Sequence, residues 1–88
     1  MKQQTLQTYP CTYTFKIFGN STIREQLVRQ VLAVVREEVE IARNGVNQRE
    51  SSAGAYFCVS VNAMLENEEQ RHRIYTELQK LEGIRYLL

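Results

Sequence analysis

Aspartate and tryptophan are missing from this 88-residue chain, and histidine and proline each occur once. Without aspartate, and with His72 as the lone imidazole, the glutamates have no companions from which to build a metal cage. His72 sits between Arg71 and Arg73 in a helical stretch, where a solvated side chain explains it better than a general base does. No acid, nucleophile and base can be assembled, so neither catalysis nor a cofactor is expected. The two cysteines, Cys11 and Cys58, lie far apart with no Cys-x-x-Cys spacing, which leaves no zinc site or thioredoxin-type pair and predicts two reduced thiols. Long apolar runs are also lacking. Met1 to Thr8 has nothing like a signal-peptide core, and no stretch approaches the roughly 20 apolar residues of a membrane span. A cytoplasmic location is the default expectation. Nor does one sign of charge dominate: the net charge is +1 and the eleven basic residues are scattered, so the bulk attraction of a dedicated nucleic-acid binder is absent.

What is present is enough for one small fold. A 43% apolar fraction argues against disorder, and the length allows a single domain with one modest core. Residues 1–8 are polar and without period, which predicts a loose tail, with one domain over 9–88. From Tyr9 the chain alternates. Cys11, Tyr13, Phe15 and Ile17 share the face assigned to the core, and Thr12, Thr14, Lys16 and Phe18 share the other. Gly19 and Asn20 are expected to break this strand, and Thr22 with Glu25 has the form of a capping box opening a helix.

Ile23, Leu27, Val31 and Val34, flanked by Val28 and Val35, make the apolar stripe of that helix. Arg43-Asn44-Gly45 after Ala42 reads as its stop, which predicts a helix roughly 30 Å long at 1.5 Å per residue. Val46 to Glu50 is a polar edge strand, and Ser51-Ser52-Ala53-Gly54 a hairpin turn. Phe57, Val59, Val61 and Ala63 alternate with Tyr56, Cys58, Ser60, Asn62 and Met64 in a central strand. Asn67 with Gln70 caps a second helix whose inner stripe is Ile74, Tyr75, Leu78 and Leu81; Gly83 ends it, and Ile84 to Leu88 is a last short strand. The clustered glutamates, Glu37, Glu38 and Glu40 and then Glu66, Glu68 and Glu69, fall near helix ends, where solvation and the helix dipole account for them.

The order strand, helix, strand, strand, helix, strand predicts an α+β, ferredoxin-like βαββαβ two-layer sandwich, with an antiparallel sheet ordered 4-1-3-2 and both helices on one face. Right-handed crossovers are expected to set the first and third strands side by side and parallel. Parity leaves Thr12, Thr14, Lys16, Tyr56, Cys58, Ser60, Asn62 and Arg85 on the open face. Cys11 faces inward and Cys58 outward, so no bridge between them is expected.

The Tyr9-Pro10-Cys11 opening with Tyr13, Phe15, Lys16, Ile17 and Gly19, the Val59-Ser60-Val61-Asn62-Ala63 strand, and Ile74-Tyr75-x-Glu77-Leu78 leading through Leu81 to Ile84-Arg85-x-Leu87-Leu88 resemble the YbeD-like family. These are small bacterial proteins with a domain of unknown function. The resemblance runs from about Tyr9 to the C-terminus and is weakest from about Glu37 to Arg49. It implies a ferredoxin-like fold comparable to the ACT regulatory domain, and no established chemistry.

Three kinds of binding follow. An ACT-like regulatory module would act in trans on a protein partner or small metabolite, with Gly19, Asn20 and Ser21 placed where backbone N–H groups favour an anion. A protein-interaction or homodimer module would use the edge strand Ile84 to Leu88, with Leu87 joining Lys16, Tyr56, Cys58, Ser60, Asn62 and Arg85 in the interaction surface. Single-stranded RNA binding on the open face is disfavoured, because Tyr56 is the one clear stacking ring and Lys16 with Arg85 make a thin platform. Cys58 as a functional thiol is likewise disfavoured.

Overall fold

The alternation from Cys11 onward produces the strand it predicts. In the computed structural model, which describes residues 8–88, β1 spans Cys11–Asn20 with Phe15 and Ile17 fully buried and Thr12, Thr14 and Lys16 exposed. The expected tail, residues 1–8, falls outside the described residues except for Thr8. Gly19 and Asn20 do not break the strand. They continue the ladder opposite Phe57 and Tyr56, because β3 (Tyr56–Leu65) is long enough to pair along all of β1.

A 3-10 turn over Ser21–Ile23 follows, and then α1 over Arg24–Glu38. The expected capping box does not form: neither the turn nor α1 has a side-chain cap. The 3-10 turn moves the helix start to Arg24, leaving Thr22 inside the turn and not at the cap. The core stripe of α1 is Leu27, Val31 and Val35 at spacing four, with Val34 only partly buried beside it. Its 15 residues make a helix of about 22 Å, shorter than the sequence suggests.

The missing length belongs to β2, which spans Ile41–Glu50 instead of beginning at Val46. Ile41 pairs with Ala63 and Val46 with Val61, so β2 carries three extra residues in a bulge that contains Asn44 at φ 55. The Asn44-Gly45 pair read as a helix stop thus supplies a left-handed residue, but inside a bulged strand. The hairpin turn forms as expected, with Gly54 at φ 76 and Gly54 N–H donating to the Ser51 carbonyl at 2.9 Å.

Asn67 caps α2 (Glu68–Leu78): its side chain accepts from Gln70 N–H at 2.9 Å, and Gln70 Oε1 accepts from Glu66 N–H at 2.7 Å. The helix stops at Leu78, before Gly83, which takes φ 91 ahead of β4 (Ile84–Leu87). The sheet order is β2-β3-β1-β4 and every pairing is antiparallel. β1 and β3 are neighbours but not parallel, since the crossover returns β2 in the direction of β1 and the hairpin then reverses β3.

Leu27, Val31 and Val35 of α1 and Ile74 and Leu78 of α2 close one core with the inward residues of β1 and β3. Each fully buried aliphatic or aromatic side chain contributes about 1.5–3 kcal/mol. With both helices on that face, no described element covers the other face of the sheet. No described helix is long and apolar enough to cross a membrane.

Candidate functional site

Strand parity and register assemble the uncovered face row by row. Asn47, Ser60 and Lys16 lie abreast across β2, β3 and β1, and Arg49, Cys58 and Phe18 form the next row. Tyr56 and Asn20 form the third, and the Arg85 guanidinium lies 4.7 Å from the Tyr56 ring centroid. Two shallow hollows result. One, of about 400 Å³, is bounded by Lys16, Phe18, Asn47, Arg49, Cys58 and Ser60. The other, of about 310 Å³, is bounded by Phe18, Ser51, Tyr56 and Arg85, so Phe18 is the wall between them. Farther along, Thr14 donates to Asn62 Oδ1 at 2.6 Å, which ties those two side chains to each other.

Seven of the predicted surface residues were Lys16, Tyr56, Cys58, Ser60, Asn62, Arg85 and Leu87, and the first six meet on this face. Leu87 does not. It pairs with Ile17 and packs against the core, while Arg85 projects outward. A register shift between Phe18 and Gly19 inserts an extra residue in β4, and that bulge turns Arg85 and Leu87 to opposite sides despite their spacing of two. Phe18, Asn47 and Arg49 were missed as site residues. For Asn47 and Arg49 the signal was parity along β2, which needs the register with β3 to be known.

Charge is segregated across the sheet. Lys16, Arg49 and Arg85 occupy the open face, and no ladder-paired position on it holds a carboxylate among the described residues. Glu40 meets the ladder only at the far end, where its carbonyl accepts from Met64 N–H at 3.0 Å. The ion pairs lie on the helix side: Arg24 with Glu50 at 3.0 Å, Arg73 with Glu38 at 3.0 Å, Lys80 with Glu77 at 3.0 Å, and Arg71 with Glu68.

The turn from β1 into α1 is a second candidate. Gly19 is there for packing: a Cβ would come within 2.5 Å of Leu27 Cδ2. Ser21 N–H donates to the Ala55 carbonyl at 3.0 Å, and Ser21 Oγ is buried without a hydrogen-bond partner. Asn20 borders a groove of about 580 Å³ with Gln26, Gln30, Lys80 and Glu82.

A third cluster was not foreseen. Tyr9 donates to Glu68 Oε1 at 2.5 Å, Arg71 binds the same carboxylate through two nitrogens, and the Arg71 guanidinium lies over Tyr13 and Tyr75, whose hydroxyls are 3.1 Å apart. The hydrogen bonds from Arg71 and Tyr9 hold the Glu68 carboxyl below its usual value. Burial, then the bond to Tyr13, raises the Tyr75 phenol, and burial raises that of Tyr9. This network straps Tyr9 to α2. His72 is exposed nearby, and its carbonyl accepts from Thr76 Oγ1 at 3.0 Å. Among the described residues no three of His, Cys, Asp or Glu converge as a metal site, and neither cysteine is in a disulfide.

This α+β architecture, with its four-stranded antiparallel sheet and two helices, is the ACT-like form of the ferredoxin fold. The chain belongs to the family described as "Protein of unknown function (DUF493)", whose model matches residues 4–88. It is 37% identical over 87 residues to a UPF0250 protein of Haemophilus ducreyi, covering 99% of this chain and 87% of that protein. A UPF0250 protein of Pasteurella multocida is 36% identical over 89 aligned residues, covering 99% and 96%. Among solved structures, the ACT domain from GTP pyrophosphokinase of Chlorobium tepidum superposes with a TM-score of 0.67 at 12% identity, covering 89% of this chain and 97% of that one. Protein HP0495 from Helicobacter pylori gives 0.68 at 15% identity, covering 98% and 89%. Identities that low speak to the fold alone.

Proposed function

We propose that this protein is a non-enzymatic, ACT-like binding module of the cytoplasm that regulates in trans by engaging a protein partner or small ligand. The observation that carries this reading is the uncovered sheet face, where register gathers Lys16, Arg49 and Arg85 around two hollows with no carboxylate at a ladder position beside them, while the ion pairs lie on the helix side. Such a face recognises an opposite charge without performing chemistry on it.

A small-ligand version at the β1 to α1 turn is favoured by one specific observation, the unpartnered Ser21 Oγ, although Ser21 and Asn20 border different grooves. Pairing through the β4 edge is weighed down by its four-residue length and its bulge, both of which blunt strand addition. RNA is weighed down by Arg85, which already covers a face of the Tyr56 ring.

The test is affinity capture of tagged protein from lysate of its own cell, with proteins, RNA and small molecules identified in parallel. A specific protein or metabolite lost on Arg85→Gln places recognition on the open face; loss on Asn20→Ala and not on Arg85→Gln moves it to the turn. Enriched RNA that disappears with Tyr56→Ala defeats the proposal.

A further inference from the structure

We infer that the open face docks an acidic segment of a partner protein, whose carboxylates meet Lys16, Arg49 and Arg85 around Cys58. This rests on the binding-module reading above and names the partner's chemistry. Cys58 stands beside Arg49 on β2 and beside Phe18 on β1, Lys16 lies one row away, and Arg85 caps Tyr56 on the other side. With strands about 4.8 Å apart and residues of one face about 7 Å apart along a strand, the three cations surround a patch about 10–15 Å across. That is the reach of a few carboxylates on a short segment.

Charge decides among the occupants. Lys16 and Arg49 have no ion pair or side-chain hydrogen bond among the described residues, and no ladder position on their face holds a carboxylate, whereas on the helix side Arg24, Arg71, Arg73 and Lys80 are paired and the exposed Arg29 and Arg36 share α1 with Glu25, Glu37 and Glu38. The open cations therefore have their full capacity to pair with a ligand. The Arg85 guanidinium, 4.7 Å from the Tyr56 ring centroid, is positioned over that ring, and its fork is of the kind that suits a carboxylate held by two hydrogen bonds.

A nucleic acid would need exposed aromatic faces for its bases, and here the Tyr56 ring carries the guanidinium while Phe18 is half-buried as the wall between the hollows. A second copy docking face to face would set cation against cation. Asn47 and Ser60, flanking Lys16 in the ladder, add neutral donors and acceptors for the segment's backbone.

The test uses the full chain with a labelled peptide of alternating glutamate and serine, an oligouridine of equal charge, and alkylation of Cys58 as a footprint read by mass mapping. Cys11, on the opposite face of the sheet, is the internal control. The expected result is that the peptide slows alkylation of Cys58 and not of Cys11, and that K16Q/R49Q, checked for an unchanged melting temperature, weakens peptide binding about tenfold while leaving the fold intact. The inference is overturned if the peptide leaves Cys58 reactivity unchanged, if the double variant binds it equally well, if oligouridine protects Cys58 better than the peptide does, or if protection depends on protein concentration as self-association requires. A captured partner that still binds K16Q/R49Q would also overturn it while leaving the binding-module reading in place.

Discussion

Replacing Phe15 by alanine probes the strand parity on which the position of the open face depends. Phe15 is 0% exposed and its ring meets Tyr13 at 4.8 Å and Tyr75 at 5.1 Å, both edge to face. Removing a buried phenylalanine ring costs about 3–5 kcal/mol, because transfer energy is lost and a cavity remains. A chain of this length is stabilised by about 4–13 kcal/mol in all, so Phe15→Ala removes a large part of the total. Urea unfolding followed by tyrosine fluorescence should show the midpoint falling by roughly 3–5 M for a slope of about 1 kcal/mol/M. Phe15→Leu keeps the apolar volume and loses the ring geometry, so about 1–2 kcal/mol is expected. Combining it with Tyr75→Leu should reveal a coupling of about 0.5–1.5 kcal/mol, the usual worth of an aromatic pair. A loss below about 0.5 kcal/mol for Phe15→Ala would place the ring outside the core, invert the parity of β1 and remove Lys16 from the open face.

Three further outcomes are expected. Gly83→Ala should cost more than Gly54→Ala: both have positive φ, worth about 1–2 kcal/mol against a side chain, but only at Gly83 would the new Cβ collide with Ile23 Cδ1. Equal melting temperatures for the two variants would contradict the packing of Ile23 against that turn. Asn67→Ala should lower stability by about 1 kcal/mol in urea, the worth of an N-cap, and no change would mean that Gln70 N–H finds its acceptor elsewhere. At alkaline pH the sign follows from Tyr75, whose folded value is raised above 10.0 by burial and the bond to Tyr13. The stability it contributes is complete below the unfolded value and is lost as pH rises through the folded one, so stability should fall from about pH 10 upward. Tyrosinate absorbance should then lag in the folded chain; full ionisation near pH 10 without unfolding would refute the burial of that phenol.

Much of the fold was legible because local signals and tertiary demands agree along β1, β3 and α2. Cys11 to Ile17 and Phe57 to Ala63 alternate cleanly, and Asn67 with Gln70 has no competing reading. They part company between Glu37 and Val46. Val34, Val35 and the glutamates Glu37, Glu38 and Glu40 suit a continuing helix, yet the ten residues of β3 need a long partner on their outer side, and Ile41 is recruited to it. Asn44 does adopt the left-handed conformation that its pairing with Gly45 suggests, and only the sheet register reveals that it serves a bulge. The open face was half legible for the same reason: Lys16, Tyr56, Cys58, Ser60, Asn62 and Arg85 lie on it as expected, but Arg49 and Asn47 became part of it only through β2 register. Leu87 was grouped with Arg85 through the β4 edge, and a one-residue bulge turns the two to opposite sides. The Tyr9, Glu68, Arg71 and Tyr75 network left no local trace, since it joins residues about sixty positions apart.

Both outer borders of the sheet are interrupted, β2 by its three extra residues around Asn44 and β4 by its shortness and the shift at Phe18 and Gly19. Only Val46 to Glu50 of β2 keeps a regular register, so neither border offers a neighbouring molecule a straight row of donors and acceptors along its whole length. Bulged and short edges disfavour edge-to-edge growth of a shared sheet, a protection that counts for more in a chain with so little net charge to repel its own kind.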